Sequence, residues 1–505
     1  MTPLLNRRSF LAATAALAAA PAFPRFAYAQ GAPLTLRATK RTLDIDGRAA
    51  TVFGLINGSG ASGLTLDPGQ RFTVDLTNAL DVETLIHWHG QIPPNVQDGV
   101  PDLPVPALQP SEKRSYDFAA MPGTYWMHSH VGLQEMALLA APLIVRTEAD
   151  AKADRQEVVM MLHDFSFKTP EEVMAKITGD VAMNGMAMGD ATKAGTAMAG
   201  MDMGKTGGAM SGMDMSGTAM ADGAMAGMSD MSGMKMDLND FDFDAYLTND
   251  RTLSDPEVVK VEAGGRIRLR IINAASATVF WIDTGATDAR LIAVDGHDVH
   301  PIKGTRFGLG MGQRLDIEVD LPNAGAFPIL ALREGALEQT GLILASQGAK
   351  IPRMSSLAET KAPAFDTDLS QEFALRAVNP LPDRPATNTP MLMLAGAMQP
   401  YVWTINGQTW ATHKPVTAKH GERVEITFHN MSMMGHPMHL HGHSFQVVNT
   451  GAGRFSGALR DTVFVPPMGV VTVALDAGEA ARWLLHCHHL PHMATGMMTE
   501  LAISA

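Results

Sequence analysis

One short pattern occurs three times in this chain: a turn rich in Gly or acidic residues, then a strand of alternating apolar and polar residues ending in Asn. The copies run from Asp67-Pro68-Gly69 to Asn78, from Ala263-Gly264-Gly265 to Asn273, and from His420-Gly421-Glu422 to Asn430. Alternation with a period of two marks strands with one buried face, and a pattern recurring at domain-sized intervals predicts related domains rather than one core. The 505 residues agree with three domains at about 100–200 residues each. Further β-rich runs lie at Arg71 to Leu76, Val258 to Val261, Arg266 to Ile272, Arg314 to Val319, Arg423 to Phe428 and Val470 to Leu475. Helical periodicity is scarce, so the expected fold is all-β, with three related sandwiches over residues 31–148, 155–345 and 365–505 and the repeated pattern forming equivalent hairpins.

Two segments depart from this organisation. Residues 1–29 carry Arg7-Arg8-Ser9-Phe10-Leu11, an Ala/Leu run from Ala12 to Ala20, and Ala27-Tyr28-Ala29. That order reads as a twin-arginine export signal cleaved after Ala29, its apolar run being shorter than the about 20 residues a membrane span requires. The mature protein is expected in the periplasm, without a stable membrane anchor, and as a monomer. Residues 183–236 hold 15 Met and 12 Gly with no aromatic residue, His or Cys, too little to build a core. They are expected to form a disordered insertion early in the second domain.

Basic and acidic residues number 39 and 52, a net charge of -13, and no stretch concentrates Lys or Arg. Nucleic acid is therefore not an expected partner.

Ten of the 18 histidines fall in four clusters: His87-Trp88-His89, His128-Ser129-His130, His436-Pro437-Met438-His439-Leu440-His441, and His486-Cys487-His488 followed by His492 and Met497. A single His-x-His pair is ordinarily a polar strand face. Four of them, one wrapped around the only cysteine, point to metal. On a strand alternate side chains share a face, so each pair aims two imidazoles at one place while Cys487 turns away from its flanking histidines. Two imidazoles, a thiolate and a weak axial thioether make a blue-copper electron-transfer site, which His436, Cys487, His492 and Met497 can supply. Zinc accepts Cys and His, yet it has no redox chemistry and no use for a distant Met.

These motifs resemble those of the three-domain multicopper oxidases, most of all the bacterial copper-efflux (cuprous) oxidases, over essentially the whole mature chain. The resemblance implies three cupredoxin-like Greek-key sandwiches and four coppers. It gives type 1 copper to His436, Cys487, His492 and axial Met497, and type 2 copper to His87 and His439. The type 3 pair falls to His89, His128 and His488 on one side and His130, His441 and His486 on the other. The three-copper cluster then lies between the first and third domains. Asp98 matches a family acid that delivers protons to oxygen, while a second family acid, expected just after His492, is replaced by Met493. Met434 matches a cuprous-site Met, and Ser432 replaces an Asp of that site.

The implied reaction is one-electron oxidation of Cu(I) coupled to four-electron reduction of dioxygen to water, for copper tolerance. Thioethers suit Cu(I), which makes Met431, Met433 and Met434, together with Met201, Met203, Met213 and Met215 of the insertion, candidate substrate ligands. Asp190, Asp202, Asp214, Asp222 and Asp230 add harder ones. The rival enzyme reading is a laccase acting on phenols or aromatic amines, and the rival of another class is a copper-storage or structural protein. The remaining histidines, His163, His297, His300, His413, His420, His429, His443 and His489, read as surface or core residues, with His443 and His489 adjacent to ligands.

Overall fold

The strands predicted from alternation form nearly where the pattern puts them: Phe72–Asn78, Val258–Val261, Arg266–Asn273, Arg314–Asp320, Arg423–Asn430 and Val470–Asp476. The computed structural model describes residues 32–179 and 238–505, apart from 286, 366–368 and 452. The leader over 1–29 and the insertion over 183–236, with Met201, Met203, Met213 and Met215, lie outside the described residues.

Three two-sheet sandwiches follow one another along the chain. The first pairs two four-stranded sheets, and the second and third each pair a six-stranded with a five-stranded sheet. The repeated pattern is not a hairpin. In each sandwich the turn carries the chain from an edge strand of one sheet into the other sheet. The edge strands Leu64–Leu66, Val258–Val261 and Val416–Lys419 instead run parallel to Ala140–Val145, Gln339–Ser346 and Met498–Ser504. Parallel partners need a long connection, so a local turn could not have joined them.

The terminal Asn explains why the pattern recurs. Asn78, Asn273 and Asn430 are fully buried. Each accepts through Oδ1 the backbone N–H two residues on, from Leu80, Ala275 and Ser432. Each donates its amide N–H to carbonyls of the loop that follows, including Val82, Thr278 and Met434. A buried loop cannot leave its polar backbone groups unpaired, and one Asn satisfies two of them while also tying in a carbonyl of a distant segment, such as Leu108, Leu309 or Val465.

Register then brings the histidines together. In the first sandwich Ile86–His89 lies antiparallel to Gly123–Ser129 with His87 opposite His128. In the third, His436–Leu440 lies antiparallel to Arg482–Cys487 with His439 opposite His486 and Met438 opposite Cys487. Ile86–His89, Gly123–Ser129 and His436–Leu440 are buried along their whole length, as expected of strands covered on both faces. Among the described residues no helix is long and apolar enough to cross a membrane.

Candidate metal centre

Around His87 the ring nitrogens fall into a repeated arrangement: one donates to a protein oxygen and the other, bare, faces another bare nitrogen. His87 Nδ1 donates to the Asp98 carbonyl (2.8 Å) and His439 Nδ1 to the Asp461 carbonyl (2.9 Å), leaving their Nε2 atoms 3.4 Å apart. His441 Nδ1 donates to Asp98 Oδ2 and His486 Nδ1 to the Cys487 carbonyl, both at 2.9 Å, leaving Nε2 atoms 3.1 Å apart. His89 Nε2 donates to Asp461 Oδ1 (3.0 Å) and His128 Nδ1 to the Ser129 carbonyl (3.3 Å) with Glu135 Oε2 2.8 Å away, leaving His89 Nδ1 and His128 Nε2 3.4 Å apart. Partners of this kind fix the tautomer and aim the lone pair.

The resulting groups are His87, His89 and His439; His89, His128 and His488; and His130, His441 and His486, each with ligand atoms within 4.8 Å of one another. All are buried. Burial first, and then the neighbouring histidines, hold His128, His130, His441, His486 and His488 well below the usual imidazole range. They are therefore neutral, the form that binds metal. Both nitrogens of His130 and the Nε2 of His488 have no hydrogen-bond partner. Facing lone pairs and orphaned buried nitrogens are unfavourable on their own, and a cation satisfies them.

A second group lies on the far side of the peptide at Cys487. Its Sγ is 3.6 Å from His436 Nδ1 and 3.8 Å from His492 Nδ1, and those two nitrogens are 3.1 Å apart. Met497 is buried in the same core as Cys487. Thiol, two imidazoles and a nearby thioether fit copper. Ser432, which stands where an Asp was expected, accepts from His436 Nε2 at 2.8 Å and passes its own hydroxyl hydrogen to Asn430 Oδ1 at 2.8 Å. The substitution thus keeps a partner for His436.

Asp98 is buried between the two sandwiches, and its side chain reaches His441 while its carbonyl holds His87. Gly99 makes this possible: its φ is +90°, and a Cβ there would lie 1.9 Å from the Ile86 carbonyl oxygen. Of the candidate substrate methionines, Met434 is buried, Met433 is half-buried and Met431 is exposed.

Several neighbours carry no motif. Asp461 pairs with Arg314 of the second sandwich, and a buried chain of charges continues through Asp295 and Arg460 to Glu372. Asp240 Oδ2 lies 3.4 Å from His492 Nε2 and 3.5 Å from His489 Nε2, and accepts from the Tyr401 hydroxyl. His489 stacks on His492 with ring centroids 3.8 Å apart, so its adjacency in sequence is adjacency in the site. His443, by contrast, bridges the His441 carbonyl and the Gly478 N–H, a structural role. His163 is a buried core residue bonded to the Ala274 carbonyl.

Multicopper oxidase family models match residues 37–150, 157–348 and 383–505. The multicopper oxidase MmcO of Mycobacterium tuberculosis is 30% identical, covering 86% of this chain and 79% of its own. Copper resistance protein A of Escherichia coli is 25% identical, covering 95% and 94%. Among solved structures, a multicopper oxidase from Pseudomonas thermotolerans superimposes with a TM-score of 0.65 at 22% identity, covering 93% and 98%. A laccase from Botrytis aclada does so with a TM-score of 0.70 at 20% identity, covering 93% and 87%. The chain belongs to the multicopper oxidases. It is an oxidoreductase that uses copper and dioxygen, and its fold is three cupredoxin sandwiches.

Proposed function

We propose that the protein oxidises Cu(I), in the service of copper tolerance. One observation carries this reading. Beside His489 lies a narrow cavity of about 20 Å³, whose lining includes Met311, Met434 and Glu334 among apolar residues such as Val279, Phe365 and Phe464. That volume holds a water or a bare ion and no aromatic ring, and thioether, imidazole and carboxyl suit copper in both oxidation states. His436 and His492 are fully buried, which denies a phenol contact with either imidazole. The resemblance to copper resistance protein A supports the same conclusion.

In this reading His436, Cys487, His492 and Met497 hold type 1 copper and His87 and His439 type 2. His89, His128 and His488, with His130, His441 and His486, hold the type 3 pair, four ions in all. Copper held there would supply one-electron transfer, with four electrons and four protons needed to convert one dioxygen to two waters. The chain's own part is to hold and to connect: a single peptide joins Cys487 to His486 and His488, and Asp98, against His441 Nδ1, places a carboxyl group inside a buried site. Residues 1–29 act as a twin-arginine export signal, the mature protein is a periplasmic monomer, and the domains are 31–148, 155–345 and 365–505.

Laccase activity is the second reading, favoured by relatives such as Laccase-1 of Botryotinia fuckeliana at 24% identity. Oxygen uptake with Cu(I), Fe(II) and a phenol, compared side by side, separates the two. Cu(I) should be the best reductant, and Met311→Leu with Met434→Leu should slow its oxidation alone. Preferred phenol oxidation, indifferent to both changes, would establish a laccase. No oxygen uptake with any reductant would leave copper storage.

A further inference from the structure

We propose that Glu135 is a positioning residue, which fixes two of the three imidazoles on one side of the metal cluster and sets how tightly that side holds copper. Its Oε2 lies 2.8 Å from His128 Nδ1 and its Oε1 3.8 Å from His488 Nδ1. Both imidazoles belong to the group completed by His89. One comes from the first sandwich and the other from the third, so a single carboxyl spans the two halves of the site. Each ring turns Nδ1 toward Glu135, His128 Nδ1 donating to the Ser129 carbonyl at 3.3 Å beside it, so that Nε2 faces inward and His488 Nε2 is left without a partner. A carboxylate behind a ligating histidine locks its tautomer and raises its basicity.

The carboxyl is fully built into this position. Glu135 is buried, and its Oε1 has no hydrogen-bond partner of its own. Its loop is closed by the Ser129 N–H donating to the Leu139 carbonyl and the Leu138 N–H to the Glu135 carbonyl. The neighbouring Gln134 ties the loop down separately, accepting from Thr84 and Ser129 hydroxyls at 2.7 Å and donating to the Glu83 carbonyl at 2.7 Å. Gln134 therefore anchors the loop while Glu135 faces the imidazoles. The opposite group has its own carboxylate, Asp98 on His441, and Asp461 serves His89 and His439. Each part of the cluster has one acid behind it.

The inference rests on the ligand assignment proposed above, and the test keeps the two apart. Copper-loaded native protein, Glu135→Gln and Gln134→Ala are dialysed against graded EDTA, and retained copper, its EPR-silent fraction and the blue band are recorded. Glu135→Gln keeps the shape and replaces the carboxyl by an amide. It should lose spin-coupled copper at about 10- to 100-fold lower chelator concentration, the usual effect of removing such a partner, with the blue band intact. Gln134→Ala should retain copper like the native protein. Equal retention in Glu135→Gln and native protein overturns the proposal. So does equal loss in Gln134→Ala, or loss of the blue band with the rest, either of which makes Glu135 a support of the loop or the fold. Native protein without any spin-coupled copper would instead refute the ligand assignment.

Discussion

Asp461 Oδ1 lies 3.0 Å from His89 Nε2, so an acid of the third sandwich orients a histidine of the first. The same carboxylate is bonded to Arg314 of the second. Burial alone would raise the Asp461 carboxyl, and the Arg314 charge holds it well below the usual carboxylate range. Asp461→Asn leaves the more distant Asp295, at 3.7 Å, as the remaining carboxylate beside Arg314 among the described residues. Breaking a buried pair costs about 3–5 kcal/mol, so denaturant unfolding should show a loss of that order together with lower copper content. Native-like stability in the variant would make the pair dispensable.

Cys487→Ser should abolish the blue absorption, which arises from the Cu(II)–thiolate bond, while metal analysis still finds the copper held by the eight other histidines. A variant that stays blue would show that the colour does not arise at Cys487 and would overturn the type 1 assignment.

Asp98→Asn should preserve copper content and the blue band, because an amide can still accept from His441, and should slow reoxidation of the reduced enzyme by dioxygen. Stopped-flow mixing with dioxygen measures this. An unchanged rate would reduce Asp98 to a hydrogen-bond partner.

Glu334 supplies a pH dependence. Burial pushes its carboxyl up to about 7, only partly offset by the Phe365 N–H. A folded pKa above the ordinary value of 4.5 means that the folded state holds the proton longer. Its contribution to stability is therefore complete below about 4.5 and is lost as pH rises through about 7, up to about 3 kcal/mol in all. Glu334→Gln should remove this fall from a series of thermal unfolding curves. A variant with the native pH slope would exclude Glu334 as its source.

Deleting residues 183–236 should spare the blue band and the stability of the three sandwiches, since all ten histidine ligands lie elsewhere in the sequence. If the segment collects Cu(I), turnover at low Cu(I) should weaken and phenols should be oxidised more readily. Unchanged responses to both reductants would make the segment a linker.

The sandwiches and the histidine groups were legible because both are local: alternation along a strand and a two-residue spacing survive in the sequence without tertiary knowledge. The repeated pattern showed its period but not its connection, because a turn between two strands looks alike whether it closes a hairpin or crosses between sheets. Glu135, Asp240, Asp461, Arg314 and Glu334 were illegible. Each is an isolated charge whose role depends on a neighbour distant in sequence, such as the 372 positions between His89 and Asp461. Glu135, seven residues after His128, carried the one faint signal, an acid in an otherwise apolar stretch. For His489 sequence adjacency was the only indication, and stacking on His492 gives it meaning.

The division of the eight cluster histidines, four on Ile86–His89 and the strand and loop around Ser129, four on or just beyond His436–Leu440 and Arg482–Cys487, makes the metal a test of completeness. A chain halted before residue 436 would leave every binding group incomplete, with nothing of the group at Cys487 and neither of the backbone oxygens at residues 461 and 487 that orient His439 and His486. It would have folded domains and no lasting hold on copper. Full metal occupancy is then a property that only molecules extended past His492 can have, and any step that selects loaded protein also rejects every copy that stops short of it.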